Sequence, residues 1–235
     1  MAELGPSPFI IDATANYEIP ASVIWLQVEC WGGGGAGYPG SAGVDQSGGA
    51  AGGGGGYSRH SLVRVTPGNT YTFTVGLGGG VFSNGGDSEF TGNIDIVRAK
   101  GGQTAPSQFQ YGLGGYGSGE IVYRGGNGGD SVGSPYRAGG GGGESGCTDK
   151  NGQAGQVGGQ FIGGNGGDRG DGGNGGKGGD AGAHGNVGVV PGGAGGGGGS
   201  RVFPLAGETN GAHGRIKVTY TTLNNLFCVL EEFNY

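Results

Sequence analysis

Polar and apolar residues alternate along several short stretches of this chain. From Val23 to Trp31, Ile24, Leu26, Val28 and Cys30 fall on one face, and Val23, Trp25, Gln27, Glu29 and Trp31 on the other. A period of two is that of a strand, here a half-buried one with bulky aromatics on its second face. Tyr57–Thr66 repeats the pattern, with Tyr57, Arg59, Ser61, Val63 and Val65 opposite His60, Leu62 and Arg64. Pro67-Gly68-Asn69 then supplies a turn, proline fixing one dihedral and glycine permitting the next. Thr70–Gly76 returns as a strand with Tyr71, Phe73 and Val75 on one face, which predicts a hairpin from Tyr57 to Val75. Shorter strands are expected at Phe9–Ile11, Asn16–Ile19 and Ile94–Ala99, with a break at Pro20 and a loop over 77–90. A last strand, Arg215–Thr221, places Ile216, Val218 and Tyr220 on one face.

Between these strands the alternation stops and glycine takes over. Residues 32–56 have no periodic apolar face, and beyond Gly101 the pattern is absent for about a hundred residues. In the stretch from Gly163 to Gly188 the period becomes three: every third residue from Gly164 is glycine, and Asn165, Asp168, Asp171, Asn174, Lys177 and Asp180 recur in step. A three-residue left-handed screw places each set along one edge, which a helix of 3.6 or a strand of 2 would not do. The run is therefore expected to fold back as short polyproline-II-like helices. Gly164, Gly167, Gly170, Gly173, Gly176, Gly179 and Gly182 would be its packing edge, and the Asn/Asp edge a solubilising surface.

Composition makes that packing a requirement. Of 235 residues 69 are glycine, and only 33% are hydrophobic. Glycine loses more conformational freedom on folding than any other residue, at roughly 1 to 2 kcal/mol of backbone entropy per residue. Burial of so few apolar side chains cannot offset this, which leaves main-chain hydrogen bonds between closely approaching backbones as the source. Because strands bracket the glycine blocks, the expected fold is mainly β with almost no α-helix: a small antiparallel β-sandwich-like base carrying a bundle of left-handed glycine-rich (polyglycine-II) helices. The base spans 1–100 with 214–222 and includes the first glycine block, 32–56. The glycine-rich region spans 101–213, and 223–235 forms a C-terminal tail.

A formal charge of -6 argues against nucleic acid or an anionic membrane as partner. No run of 18 apolar residues suits a membrane-inserted helix, and the N-terminal residues lack the basic and apolar regions of a secretory signal. Cys30, Cys147 and Cys228 are odd in number and far apart, as free thiols would be, which argues against a disulfide framework or zinc site. Gly32, Gly34 and Gly37 spell GxGxxG after a strand, but Tyr38-Pro39-Gly40 stands where a dinucleotide fold needs a helix. Gly125–Gly133 fits one calcium-binding nonapeptide, without the tandem array such sites require. Collagen would need prolines, and the period-three run has none. Arg169-Gly170-Asp171 spells an adhesion tripeptide in a composition where it arises readily. His60, His184 and His213 have no nucleophile or ligand at a recognisable spacing, so no catalytic residue, metal or cofactor is expected.

The non-glycine interruptions carry more. Phe109, Tyr111, Tyr116, Tyr123, Tyr136 and Phe161, with Gln108, Gln110 and Gln160 among them, combine flat apolar faces with hydrogen-bonding amides. Two readings stand for them: contact residues for a sugar or protein surface, or caps shielding the ends of a helix bundle. The tail places Leu223, Leu226, Phe227 and Leu230 at helical spacing, as a docking element for a neighbouring subunit or as a segment packed on the chain's own base.

The order VIWLQVECWGGGGAG, GGGGGYSRHSLVRVTPGNTYTFTVGLGGG, GGDSEF, glycine triplets and GRIKVTY resembles the glycine-rich domain of bacteriophage tail-fibre and tail-tip adhesins, from about Pro20 to Tyr220. The resemblance implies a β base carrying packed polyglycine-II helices, a homo-oligomer located on the virion among other virion proteins. It also implies loops presented to a bacterial surface protein or glycan. A similar architecture is implied for the glycine-rich domain of certain receptor kinases, so fold alone does not assign function. A purely architectural virion component, or a calcium-binding or secreted glycine-rich adhesin, are the competing expectations. Unlike in the long adhesins, no separate shaft-attachment domain is expected within these residues.

Overall fold

In the computed structural model, described over residues 2–41, 47–131, 138–199 and 209–222, the strands form two sheets and no helix is present among those residues. One sheet has six strands in the order β1(Ala2–Glu3), β3(Ala15–Glu18), β6(Thr70–Thr74), β7(Ser88–Thr91), β8(Ile96–Ala99) and β9(Gly117–Ser118). The other has five, in the order β10(Ile121–Tyr123), β5(Tyr57–Arg64), β4(Trp25–Trp31), β11(Arg215–Thr219) and β2(Phe9–Ile11). Strands β4 and β5 face β7 and β8 across the core. The inward residues Leu26, Val28, Val63, Val97, Ile216 and Val218 are fully buried there, and Phe73 stacks on Phe90 with ring centroids 4.4 Å apart.

The hairpin expected from Tyr57 to Val75 does not form. Strand β5 pairs with β4 and β10, and β6 with β3 and β7, so the turn at Pro67-Gly68-Asn69 carries the chain from one sheet to the other. The Gly68 N–H donates to Ile19 and Ile19 to Asn69, which ties the turn to the end of β3 rather than closing β5 on β6. Val63 and Val65 then meet Phe73 and Val75 within the core instead of side by side on one sheet face. The strand pairs are otherwise antiparallel as expected, except that β1 runs parallel to β3.

Strand β5 also departs from the strict alternation read from its sequence. Leu26 pairs with Val63 but Val28 pairs with His60, so β5 carries an extra residue between these pairs. A bulge of this kind reverses which face the following side chains take. Val63 therefore joins the core while Tyr57 turns to the opposite face, where its ring meets Trp31 at 5.0 Å and Tyr123 at 6.1 Å. The Tyr57 hydroxyl donates to Glu29 at 2.8 Å, and Lys217 Nζ lies 2.8 Å from the second carboxylate oxygen of Glu29. Burial, with the adjacent Glu29 carboxylate, raises the Tyr57 hydroxyl well above the usual tyrosine pKa. The strands β9 and β10 lie in the stretch where sequence alternation is missing, and β7 begins within the expected loop.

The glycine segments leave both sheets at one end. Gly32 donates to Gly56, Gly56 to Lys100, Lys100 to Tyr116, Gly33 to Gly86 and Gly214 to Gly76, so the ends of β4, β6 and β8 and the starts of β5, β7 and β11 share a level. Beyond it each segment bonds its neighbours with a period of three. Gly140, Gly143 and Gly146 donate to Gly49, Gly52 and Gly55, running parallel. Gly141 and Glu144 donate to Gln156 and Gln153, and Gly139, Gly142 and Ser145 to Gly179, Gly176 and Gly173, both antiparallel. Successive N–H groups thus point in three directions, and segment 138–146 is surrounded. Residues 49–56 behave alike. Gly49, Gly52 and Gly55 donate to Gly198, Gly195 and Gly192; Ala50, Gly53 and Gly56 donate to Gln108, Gln103 and Lys100; Ala51 and Gly54 donate to Gly129 and Gly126. The first glycine block is therefore hydrogen-bonded into the later ones.

Such approach leaves no room for a Cβ at many of the glycines in these segments. A Cβ on Gly143 would overlap the carbonyl of Gly126, and one on Gly176 the carbonyl of Asn186, both backbone groups that cannot move alone. Gly80 has open space around its Cβ position. Gly176→Val is expected to cost about 3 kcal/mol or more, whereas Gly80→Ala should stay within about 1 kcal/mol of the parent. Urea unfolding followed by circular dichroism measures both, and coincident transitions would contradict this account.

Candidate functional site

Because segment 32–41 leaves the end of β4, its hydrogen bonds mark distance from the sheets. Tyr38 donates to Ala50, Ala50 to Gln108, and Gly49 to Gly198. Gly140 donates to Gly49, Gly139 to Gly179 and Ala138 to Gly159. The connections around 106–110, 159–162 and 180–184 consequently share the end of the bundle remote from the sheets.

At that distal end, Phe109 is 53% and Phe161 60% exposed, and Ile162 beside Phe161 is exposed as well. The Phe109 connection is pinned from beneath: Gln108 Nε2 donates to the Ser47 carbonyl at 2.9 Å, and Ser131 Oγ to the Gln108 carbonyl at 2.7 Å. Phe109, Tyr111, Leu113 and Asp130 border a shallow cleft of about 260 Å³. Tyr111 is half-buried, its N–H donating to Asp130 at 3.1 Å. Phe82 holds a left-handed backbone with φ 60°, its ring exposed and edge-on to Tyr38 at 5.1 Å. A bulky residue in that region of φ costs energy that the surrounding structure must hold, and such strain concentrates where binding occurs.

The aromatic candidates therefore separate. Phe109 and Phe161 lie at the distal end, with Tyr111 in the cleft beside Phe109. Tyr116 and Tyr123 lie at the sheet end, Tyr116 beneath the Lys100 ammonium at 5.7 Å and Tyr123 against Tyr57. Tyr136 lies outside the described residues, as do the tail candidates Leu223, Leu226, Phe227 and Leu230. Sequence reading passed over Phe82 and Ile162. Their signal was a bulky apolar residue within a glycine-flanked turn, as in Val81-Phe82 and Phe161-Ile162.

The outer segments cannot donate outward to another backbone, and side chains there accept instead. Gly101 and Thr104 donate to Asp87 and Asn84 at 3.0 and 2.8 Å, and Gly114 donates to Asn127 at 3.0 Å. In the period-three run, Asp180 accepts from Gly163 at 2.8 Å and Asp171 from the Thr148 N–H at 2.8 Å. Part of the polar edge thus closes hydrogen bonds as well as facing water. Glu144 does the same in the interior. Fully buried, it accepts from the Gly170 and Gln153 N–H groups at 2.8 Å each and from the Cys147 thiol at 3.3 Å. Burial pushes that thiol up to about 11, and Cys30 is likewise buried and raised. Cys228 lies outside the described residues.

Of the glycines on the expected packing edge, Gly164, Gly167, Gly173, Gly176 and Gly179 are buried, with backbone atoms where a Cβ would stand. Gly170 instead sits in an exposed bend beside Cys147 and Lys150, and Gly182 in a turn with φ 85°. The run is interrupted at both places. His60 Nε2 is 3.9 Å from Asp95, and His213 Nδ1 accepts from Gly78 at 3.0 Å. No group of three metal-ligating side chains occurs among the described residues.

Two packed sheets that anchor a hydrogen-bonded body of glycine segments, with side chains reserved for its rim and tip, define a glycine-rich β domain. The family model of the glycine-rich domain matches residues 11–221, and the chain belongs to that family. A search of curated proteins finds none that matches it.

The hydrogen bond from Gly163, followed by the Lys177 ammonium at 3.1 Å, holds the Asp180 carboxyl below its ordinary pKa of 3.8. A depressed pKa contributes stability above the unfolded-state value and loses it as pH falls through the folded one. Asp180 is half exposed, so Asp180→Ala is expected to cost at most about 0.5 kcal/mol at pH 7. Thermal midpoints of the two proteins should converge as the pH is lowered past 3.8; a constant gap would contradict the assignment.

Proposed function

We propose that the glycine segments are polyglycine-II helices and that this is a phage virion structural protein of the tail-fibre or tail-tip type, whose distal loops attach to a receptor on the bacterial surface. The helical reading is supported by the N–H groups of 138–146, which reach three neighbours in strict rotation. The observation that carries the functional reading is the gathering of exposed Phe109, Phe161 and Ile162 at the end of the glycine segments remote from the sheets. A hydrogen-bonded rod suits this task. It is rigid without a large apolar core, so loops at its tip can vary while the rod holds them in place.

In this reading the protein acts by binding, with no chemistry and no cofactor. It sits on the tail or particle surface as a homo-oligomer beside other virion proteins, with neither nucleic acid nor membrane insertion involved. The flat rings and nearby amides suit a surface protein or glycan as ligand. Tyr116 and Tyr123 fall outside this site, which narrows the receptor-facing set to Phe109, Tyr111 and Phe161, joined by Phe82 and Ile162.

Purified chain applied to a panel of bacterial strains is expected to bind at least one of them and to block infection of that strain by a phage carrying it. Phe109→Asp and Phe161→Asp together should weaken binding by about tenfold or more, each ring being a candidate anchor, with an unchanged thermal midpoint. Absence of both binding and blocking across the panel would favour a purely architectural role.

A further inference from the structure

At the end of the sheets opposite the glycine segments lies a second feature, unconnected with the distal loops. Ile24, Trp25, Leu62, Thr221 and Thr222 are among the residues lining an apolar groove of about 510 Å³ beside the start of β4 and the end of β11. Its volume falls in the range of sites that hold several side chains. The groove owes its shape to β5, since the extra residue between the Leu26–Val63 and Val28–His60 pairs breaks the alternation next to Leu62. Ile24 and Leu62 are both exposed, and Trp25 is 43% exposed. Three large exposed apolar side chains grouped around one groove differ from scattered surface residues and call for a cover.

The chain itself supplies a candidate. Thr221 and Thr222 form the lip of the groove, and residues 223–235 follow directly upon them. That segment, LNNLFCVLEEFNY, contains no glycine and holds Leu223, Leu226, Phe227, Val229, Leu230 and Phe233, the apolar complement that the groove lacks. Glu231 and Glu232 add acidic charge, and the Arg64 guanidinium stands 6.0 Å from the Trp25 ring at the groove's edge. A segment tethered at the lip meets the groove at an effective concentration on the order of millimolar, above that of a free second copy in dilute solution.

We propose that the groove is the seat of the chain's own residues 223–235, docked in cis through Leu226 and Phe227 against Trp25 and Leu62. The apolar face of the sheet is then closed within one chain, and any partner at this end must displace the tail to reach it.

Trp25 reports on the cover directly, because the only other tryptophan, Trp31, is 5% exposed. Collisional quenching by acrylamide would be compared between the full chain and full-length Leu226→Asp/Phe227→Asp, with Leu62→Asp as a second variant acting from the groove side. Covering an indole removes most of its accessible face, so both variants are expected to raise the quenching constant about twofold at unchanged thermal midpoint. In the full chain, protection should be independent of concentration, with light scattering showing no change of mass over the same range. Equal quenching in all three proteins would overturn the proposal. Protection that fades on dilution together with a fall in mass would overturn it too, placing a second copy on the groove. Addition of a peptide of residues 223–235 to the tail variant should restore protection, and failure to do so at millimolar peptide would count against the assignment.

Discussion

The structure depends on one constraint: backbone groups in a region nearly devoid of side chains must bond to one another. Each N–H and C=O buried without a partner would cost a large part of a hydrogen bond, and a chain with 69 glycines in 235 residues has few other means of offsetting the entropy of ordering. A three-residue period meets the requirement by rotating successive donors toward three neighbours, as in segment 138–146. At positions such as Gly143 the same geometry forbids a Cβ, because the space it would fill is held by the neighbouring carbonyl.

Where the lattice ends, sequence changes character. Outer segments have one direction without a backbone partner, and Asn84, Asp87, Asn127 and Asp180 bring carboxylate or amide oxygens to it. Glu144 fulfils that role inside, where two N–H groups and a thiol satisfy a carboxylate that would otherwise be costly to bury. The sheets set the lattice's starting level. Segments begin together because β4, β5, β6, β7, β8 and β11 begin or end at one side of the sandwich, and its core of Leu26, Val28, Phe73, Phe90 and Ile216 is the part of the molecule held by burial.

These two modes of stabilisation give the molecule distinct ends. One is a tip of turns between glycine segments, with exposed rings at Phe109 and Phe161 and a left-handed Phe82. The other is the far edge of the sandwich, with Ile24, Trp25 and Leu62 beside Thr221 and Thr222. Between them lies a body in which glycine predominates.

The strands Tyr57–Arg64, Thr70–Thr74 and Arg215–Thr219 were legible from alternation, because a two-residue period is a local property. So was the period of three, which follows from the spacing of Asn165, Asp168 and Asp171 without reference to any neighbour. Pairing was not legible: the turn at Pro67-Gly68-Asn69 suits a hairpin and a crossing between sheets equally well, and the structure takes the crossing. The short strands β9 and β10 were hidden too, since Gly117–Ser118 and Ile121–Tyr123 become strands only by pairing with β8 and β5. The bulge in β5 escaped for the same reason: register belongs to a pair, and only the shift between Leu26 and Val28 separates Tyr57 from Val63. The sequence alone determined that this chain must be held by its backbone, and that the aromatic residues of its glycine-rich region stand at interruptions of the glycine pattern. Tertiary structure decided which interruptions share an end. It sent Phe109 and Phe161 to the tip and Tyr116 and Tyr123 to the sheets, because the fold-back of each segment is set by which neighbours its three rows of N–H groups find.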